Sequence, residues 1–322
     1  MKHSWMFLLP LWLLCFASAQ EVKTPPVNVM PVYQPGAQGP QIAGPIFYGG
    51  GPIMSGATNV YVVFYGDWPA ASINIINGYL QHLGGTLFYN VNSTYSDTTG
   101  AHVQNIVNYN PVTNSIHDNY SSGKTLVDAD VQTIVANAIA GGLLPNDEAN
   151  GVYFVLTAVD VAESLDLNGQ NFAFCTSMCG YHAPSKTIVT DEIIKYSFVG
   201  NPAQCPHACD ANIHAFLFND TNTPNGDVGG DGAVNVIFHE LSETVSDPHV
   251  TLPDGAWGDL VTGESGDQCA WMFGATHLAP NGSHFNETIN KTHYLIQQLL
   301  RVPKVNRGSQ LYFNVSCVKS VK

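Results

Sequence analysis

Charge is what this chain of 322 residues has little of. Asp, Glu, Lys and Arg make up 11% of it, against roughly 25% in ordinary soluble domains. Positive charge is scarcest: 11 Lys and Arg stand against 25 Asp and Glu, a net of −14. That balance argues against nucleic acid and anionic membrane as partners, because both are gripped through clustered basic side chains. Beyond the first residues, no apolar run approaches the roughly 20 residues that span a bilayer. There is no internal repeat, and no G-x-S-x-G, P-loop or dinucleotide fingerprint. Nothing in the chain therefore points to those chemistries.

What is present begins with a leader. Met1-Lys2-His3 precedes an apolar run from Trp5 to Phe16 and then Ala17-Ser18-Ala19. A positive start, a short apolar core and small residues at the end read as a signal peptide over residues 1–19. A secreted product, extracellular or of the cell wall, is expected. Cys15 leaves with the leader. Cys175, Cys179, Cys205, Cys209, Cys269 and Cys317 remain. In an oxidising compartment six cysteines imply three disulfides, with about 15 pairings open. Sequons at Asn92, Asn119, Asn219, Asn281, Asn286, Asn290 and Asn314 mark surface loops wherever they carry sugar.

Residues 20–53 are rich in Pro and Gly and read as an extended or flexible arm. The rest, 54–322, is near the upper size of one core. Its expected fold is a single disulfide-stabilised α/β domain with a mixed sheet. Asn59 to Tyr65 and Gly151 to Leu156 read as buried strands, and Lys186 to Thr190 as a shorter one. Ala71 to Leu83 and Asp128 to Ala140 carry helical periodicity, the second capped by Asp128. His293 to Leu300 reads as a short late helix.

The chemistry concentrates in a helix at about 232–247, which contains His239-Glu240-Leu-Ser-Glu243 and stops at Asp247-Pro248. Asn225 to Gly232 before it is turn chemistry, with Asp231 as the cap. Positions four apart share a helix face, so His239 and Glu243 can hold one ion. Glu240 then faces the space where a metal-bound water needs a general base. The bland alternative is a solvated helix face. Asp247 is two turns from His239, too far to share an ion. A third ligand comes either from His249, past the Pro248 break, or from Glu264 on a glycine-rich loop. The set is rich in oxygen, so zinc is expected while manganese and calcium stay open. His182 and His214, beside the cysteine pairs, have a place near the metal helix as one reading, but read more readily as structural histidines.

Taken together, several segments identify a resemblance. They are Gly51-Pro-Ile-Met-Ser55 leading into Asn59 to Trp68, then Val152 to Thr157, then Phe174-Cys175-x-x-x-Cys179-Gly180-Tyr-His182. Gln204-Cys-Pro206-x-x-Cys209 with His214, and Pro224 to Gly232, follow in order. The chain resembles the phosphate-induced protein 1, or EXORDIUM-like, family from about residue 45 onwards. The resemblance implies an extracellular or cell-wall protein linked, in plants, to growth. Plant members generally lack the His-Glu-x-x-Glu helix. This chain resembles microbial relatives in which that helix is joined by a later Gly-Glu-x-Gly-Asp-x-Cys segment, here Gly263 to Cys269. That pairing selects Glu264 as third ligand, with His249 the alternative.

The leading expectation is a secreted zinc-type hydrolase in which Glu240 activates the water bound at His239, Glu243 and Glu264. Its rival is a non-catalytic growth or binding protein that engages an extracellular protein or a wall or matrix component. A third reading, a glycan binder, would use Trp68, Trp257 and Trp271 as surface platforms.

Overall fold

The computed structural model describes residues 29–33, 45–167, 169–250, 253–258, 263–303, 311–312 and 315–321. The leader over 1–19 and the sequon at Asn314 lie outside these residues.

The elements that position the site are, in chain order, β1 (Val29–Pro31), β2 (Thr58–Tyr65), α1 (Ala70–His82), β3 (Val107–Asn108) and β4 (Ser115–Asp118). They continue with α2 (Asp128–Ala140), β5 (Gly151–Thr157), β6 (Met178–Ser185), β7 (Ile194–Gly200) and α3 (Val228–Ser246). The seven strands form one mixed sheet in the order β1-β6-β7-β5-β2-β3, with β4 also on β2. β7, β5 and β2 run parallel, and β6 and β1 close one edge antiparallel. Central parallel strands are covered on both faces, and every residue of β5 and β7 is accordingly buried.

The helices obey their periodicity. Ile76, Tyr79 and Leu80 on α1 and its C-cap Leu83 are buried, as are Val131, Ile134, Val135 and Ala138 on α2, each set at i, i+3, i+4, i+7. Each large apolar side chain so placed contributes about 1.5–3 kcal/mol. The α2 cap differs from the expectation on Asp128. Val127 is the cap residue, and its N–H donates to Asp130 at 2.9 Å. Asp128, one residue inside, has its carboxylate taken by other side chains.

α3 is buried from Gly229 to Ser246. It starts four residues earlier than the reading at Gly232, and Asp227 rather than Asp231 caps it. Asp227 accepts Gly230 N–H at 2.7 Å and the Ser72 hydroxyl at 2.8 Å. The α1 contact thus decides which aspartate caps. Asp247 ends the helix as expected, and its carboxylate accepts Ala256 N–H at 2.7 Å.

Other expectations fail for identifiable reasons. Lys186 to Thr190 is a turn, because the Ser185 hydroxyl accepts Thr187 N–H and both hydroxyls bond Gln132. The strand lies beyond it, in β7. The predicted late helix is instead strands Thr292–Tyr294 and Leu299–Arg301. The linking backbone finds side-chain partners: Asn286 brackets Ile296, and Asn235 accepts Gln297 N–H. The described parts of the arm are packed strands. β1 joins the main sheet, and Ile46–Tyr48 pairs with Trp257–Gly258 and Leu311–Tyr312. Asn92 is fully buried and donates to Ser242, so that sequon has no room for sugar. Trp68, Trp257 and Trp271 are core residues whose indole N–H groups meet backbone carbonyls, which removes them as glycan platforms.

Three disulfides join Cys175 to Cys205, Cys179 to Cys209 and Cys269 to Cys317. The first two staple the β6 hairpin to the segment before α3. The last fixes the segment after Glu264 to the C-terminal strand Ser316–Val318. Among the described residues no helix is long and apolar enough to cross a membrane.

Candidate metal centre

α3 places His239 and Glu243 one turn apart on a buried face, with Nε2 of the histidine 3.3 Å from Oε2 of the glutamate. Val236, Ile237 and Leu241 wall the helix in apolar side chains, all fully buried. Gln297 orients the histidine. Its Nε2 donates to Gly266 O at 2.9 Å, which turns its Oε1 to His239 Nδ1 at 3.2 Å. Nδ1–H is then the donor, and the Nε2 lone pair faces Glu243.

Glu243 is fixed from its other oxygen. Oε1 accepts N–H from Gly266 at 3.0 Å and Asp267 at 2.8 Å. A Cβ at residue 266 would stand 2.8 Å from that oxygen and 2.9 Å from His239 Nδ1. Only glycine lets the backbone come this close. The same loop brings in Glu264, fully buried. Asp267 Oδ2 accepts Glu264 N–H at 3.1 Å, and Asp267 Oδ1 lies 3.6 Å from His239 Nε2.

A further histidine arrives from the sheet. His182 on β6 is 1% exposed, with Nδ1 3.1 Å from Glu240 Oε2 and Nε2 3.5 Å from Glu264 Oε2. Gly180 permits this, since a Cβ there would stand 2.7 Å from Val236 Cγ1 and 3.2 Å from Glu240 Oε1. Both Glu240 oxygens are engaged, because Met30 N–H donates to Oε1 at 3.2 Å.

The residues expected from sequence are therefore gathered, though not as one triad. Two groups share Glu243: His182, Glu243 and Glu264, and His239, Glu240 and Glu243. Within each, one donor atom per residue lies within 4.8 Å of the others. His249 belongs to neither; its Nδ1 is 2.9 Å from Asp254 Oδ2 near the surface. His214 stands elsewhere too, edge-on to Tyr33. Sequence reasoning missed Gln297 and Met30 and took His182 for structural. Spacing carries no signal for them, although Cys179-Gly180-Tyr-His182 already stood among the segments that carry the family resemblance.

The electrostatics ask for a cation. Burial, reinforced by Glu243, pushes the Glu264 carboxyl well above its usual range. The same causes lift Asp267 to about 7. Burial also raises Glu240, against the pull of His182. Burial alone would lower both histidines, but Glu243 lifts His239 well above its usual value and Glu240 lifts His182. Four of the site's buried ligating atoms have no hydrogen-bond partner among the described residues: His239 Nε2, Glu243 Oε2 and both oxygens of Glu264. Each such group costs about 1–3 kcal/mol or more. A divalent ion bound at about 2.0–2.1 Å holds tetrahedral donors roughly 3.3 Å apart, close to the 3.3 and 3.5 Å spacings of the two His–Glu pairs. Imidazole and carboxylate donors on this spacing fit a divalent ion.

Comparison with known proteins agrees with the sequence resemblance. The family profile described as phosphate-induced protein 1 conserved region matches residues 46–301. The chain belongs to the phosphate-induced protein 1 family. It is 29% identical over 245 residues to Protein EXORDIUM-like 5 of Arabidopsis thaliana, covering 70% of this chain and 64% of that one. The match thus spans a little under two thirds of that relative. Protein EXORDIUM-like 3 of the same plant is 27% identical over 255 residues, 74% and 72% of the two chains. Protein PHOSPHATE-INDUCED 1 of Nicotiana tabacum is 29% identical over 139 residues, 41% and 39%. No solved structure matches the chain.

Proposed function

We propose that this chain is a secreted metalloprotein whose buried centre is of the zinc-hydrolase type, acting on an amide or ester carbonyl. The observation that carries the reading is the set of four buried ligating atoms on His239, Glu243 and Glu264 that lack a hydrogen-bond partner among the described residues. Three disulfides support secretion, since such bonds persist in oxidising compartments. A zinc-type ion bound there supplies Lewis acidity to a water or carbonyl oxygen. The chain supplies the rest. Gly266 and Asp267 N–H groups stop Glu243 from rotating, Gln297 fixes the His239 tautomer, and the apolar α3 face keeps bulk water out.

A second reading is a closed, structural ion. It is favoured by one fact: His182, His239, Glu240, Glu243 and Glu264 are all 0–1% exposed. Metal analysis of the purified secreted protein, followed by peptide and ester hydrolysis with and without chelator, separates the cases. One bound ion with chelator-sensitive turnover supports the hydrolase. One bound ion without turnover, and no spectral response to a hydroxamate on cobalt-loaded protein, leaves the structural ion. A metal-free, folded wild type overturns both.

A further inference from the structure

We infer that His182 is a ligand of the ion and that Glu240 positions it, so Glu240 is not the water-activating base its place in the motif suggests. The inference rests on the metal-centre reading above and goes further by assigning two residues within it.

Three observations carry it. First, His182, Glu243 and Glu264 form a compact donor group, whereas His239 and Glu264 fall in different groups. The histidine that accompanies both carboxylates comes from the sheet, not from the helix. Second, the His182 ring is oriented as ligand histidines usually are. A carboxylate on one nitrogen fixes the tautomer and leaves the other nitrogen to the metal. Here Glu240 Oε2 takes Nδ1–H at 3.1 Å, and Nε2 points towards Glu264 Oε2 at 3.5 Å. Third, both Glu240 oxygens are already engaged and the carboxylate is fully buried. Oε2 serves His182 and Oε1 accepts Met30 N–H. A general base must reach the proton it removes, directly or through one water; this carboxylate is spent on holding a ring and a strand. The site is thereby tied to β1 and β6 as well as to α3 and the Glu264 loop.

The test uses full-length secreted protein loaded with cobalt(II), read by its visible absorption and by competition for the metal. His182→Ala should bind cobalt at least 100-fold more weakly, with an altered spectrum, and added imidazole should restore part of both. Glu240→Gln retains one acceptor oxygen but cannot serve Met30 and His182 together. It should weaken binding 10–100-fold, the usual cost of losing such an orienting partner, with the wild-type spectral type kept. His239→Ala should still show imidazole in X-ray absorption of the bound ion; its absence would overturn the assignment even if His182→Ala misfolds. Unchanged affinity and spectrum in folded His182→Ala would also overturn it, as would unchanged affinity in Glu240→Gln. A wild type that takes no cobalt sinks the metal centre itself, an outcome distinct from either of these.

Discussion

Tyr181 and His182 are consecutive on β6 yet serve two different buried acidic clusters. Alternation along a strand sends their side chains to opposite faces. Tyr181 meets α2, where its hydroxyl donates to Asp128 at 2.9 Å, and the same oxygen lies 3.1 Å from Glu163 Oε1. His182 meets α3 and Glu240. The clusters dispose of negative charge differently. Asp128 accepts hydroxyls from Tyr181 and Tyr196 and the amide of Gln132, at the first turn of a helix, where negative charge is favoured. Glu163 is 3% exposed, and burial pushes its carboxyl up to about 9, so it keeps its proton at neutral pH. That cluster carries one proton and one oxygen, Glu163 Oε2, without a hydrogen-bond partner among the described residues. The cluster around Glu243 has imidazoles in place of hydroxyls and donor atoms left over. Buried acid alone therefore does not point to a metal; the Glu243 cluster differs by placing oriented imidazoles among its carboxylates, a donor set that could hold an ion.

The largest way to break this contrast is Glu243→Ala. Bound metal should fall from one equivalent to near zero by elemental analysis. Stability should also fall further than on chelation, because Gly266 and Asp267 N–H lose their acceptor at about 1–3 kcal/mol each. Chelating the wild type comes next. It should cost about 4 kcal/mol in urea unfolding if the free ion stood near 1,000 times its Kd, while Tyr181→Phe and wild type should lose the same amount. An unaltered urea midpoint on chelation would erase the distinction between the clusters. Tyr181→Phe itself should cost about 2 kcal/mol, the range for hydrogen bonds to charged groups, with metal content unchanged.

The smallest effect at low pH belongs to Glu163→Gln, and it sharpens the comparison through its pH dependence. The folded carboxyl titrates near 9 and the unfolded one near 4.5. The folded state therefore holds a proton that the unfolded state releases. Stability from this group is fully present below about 4.5 and is lost as pH rises towards 9, by about 1.4 kcal/mol per unit. Wild type and variant should unfold within about 1 kcal/mol of each other near pH 4.5. The variant should then gain steadily on the wild type at pH 6, 7 and 8. Parallel curves would show that Glu163 is ionised in the fold.

Local sequence made much of the frame legible. Val60 to Phe64 and Val152 to Leu156 announce strands as short β-branched and aromatic runs buried on both faces, whereas Ile76 to Leu83 and Val131 to Ala138 announce helices because one buried face imposes a period of 3.6. The same rule placed His239 and Glu243 on one helix face. Short strands such as Val29–Pro31 and Ile46–Tyr48 were not legible, since three residues among prolines and glycines show no period. The Thr292–Arg301 stretch was misread because its backbone bonds go to Asn286 and Asn235, partners outside the segment.

The sequence by itself thus determined the main elements, the acidic balance, the cysteine complement and the His239–Glu243 pair. Tertiary structure alone decided the disulfide pairing, the aspartate that caps α3, and the set of groups around Glu243. The physical reason is the range of the interactions. Helical and strand periodicity acts over a few residues, whereas His182 lies 58 residues before Glu240 and Met30 lies 210 before it. Such contacts exist only once the sheet has set β6 and β1 against α3.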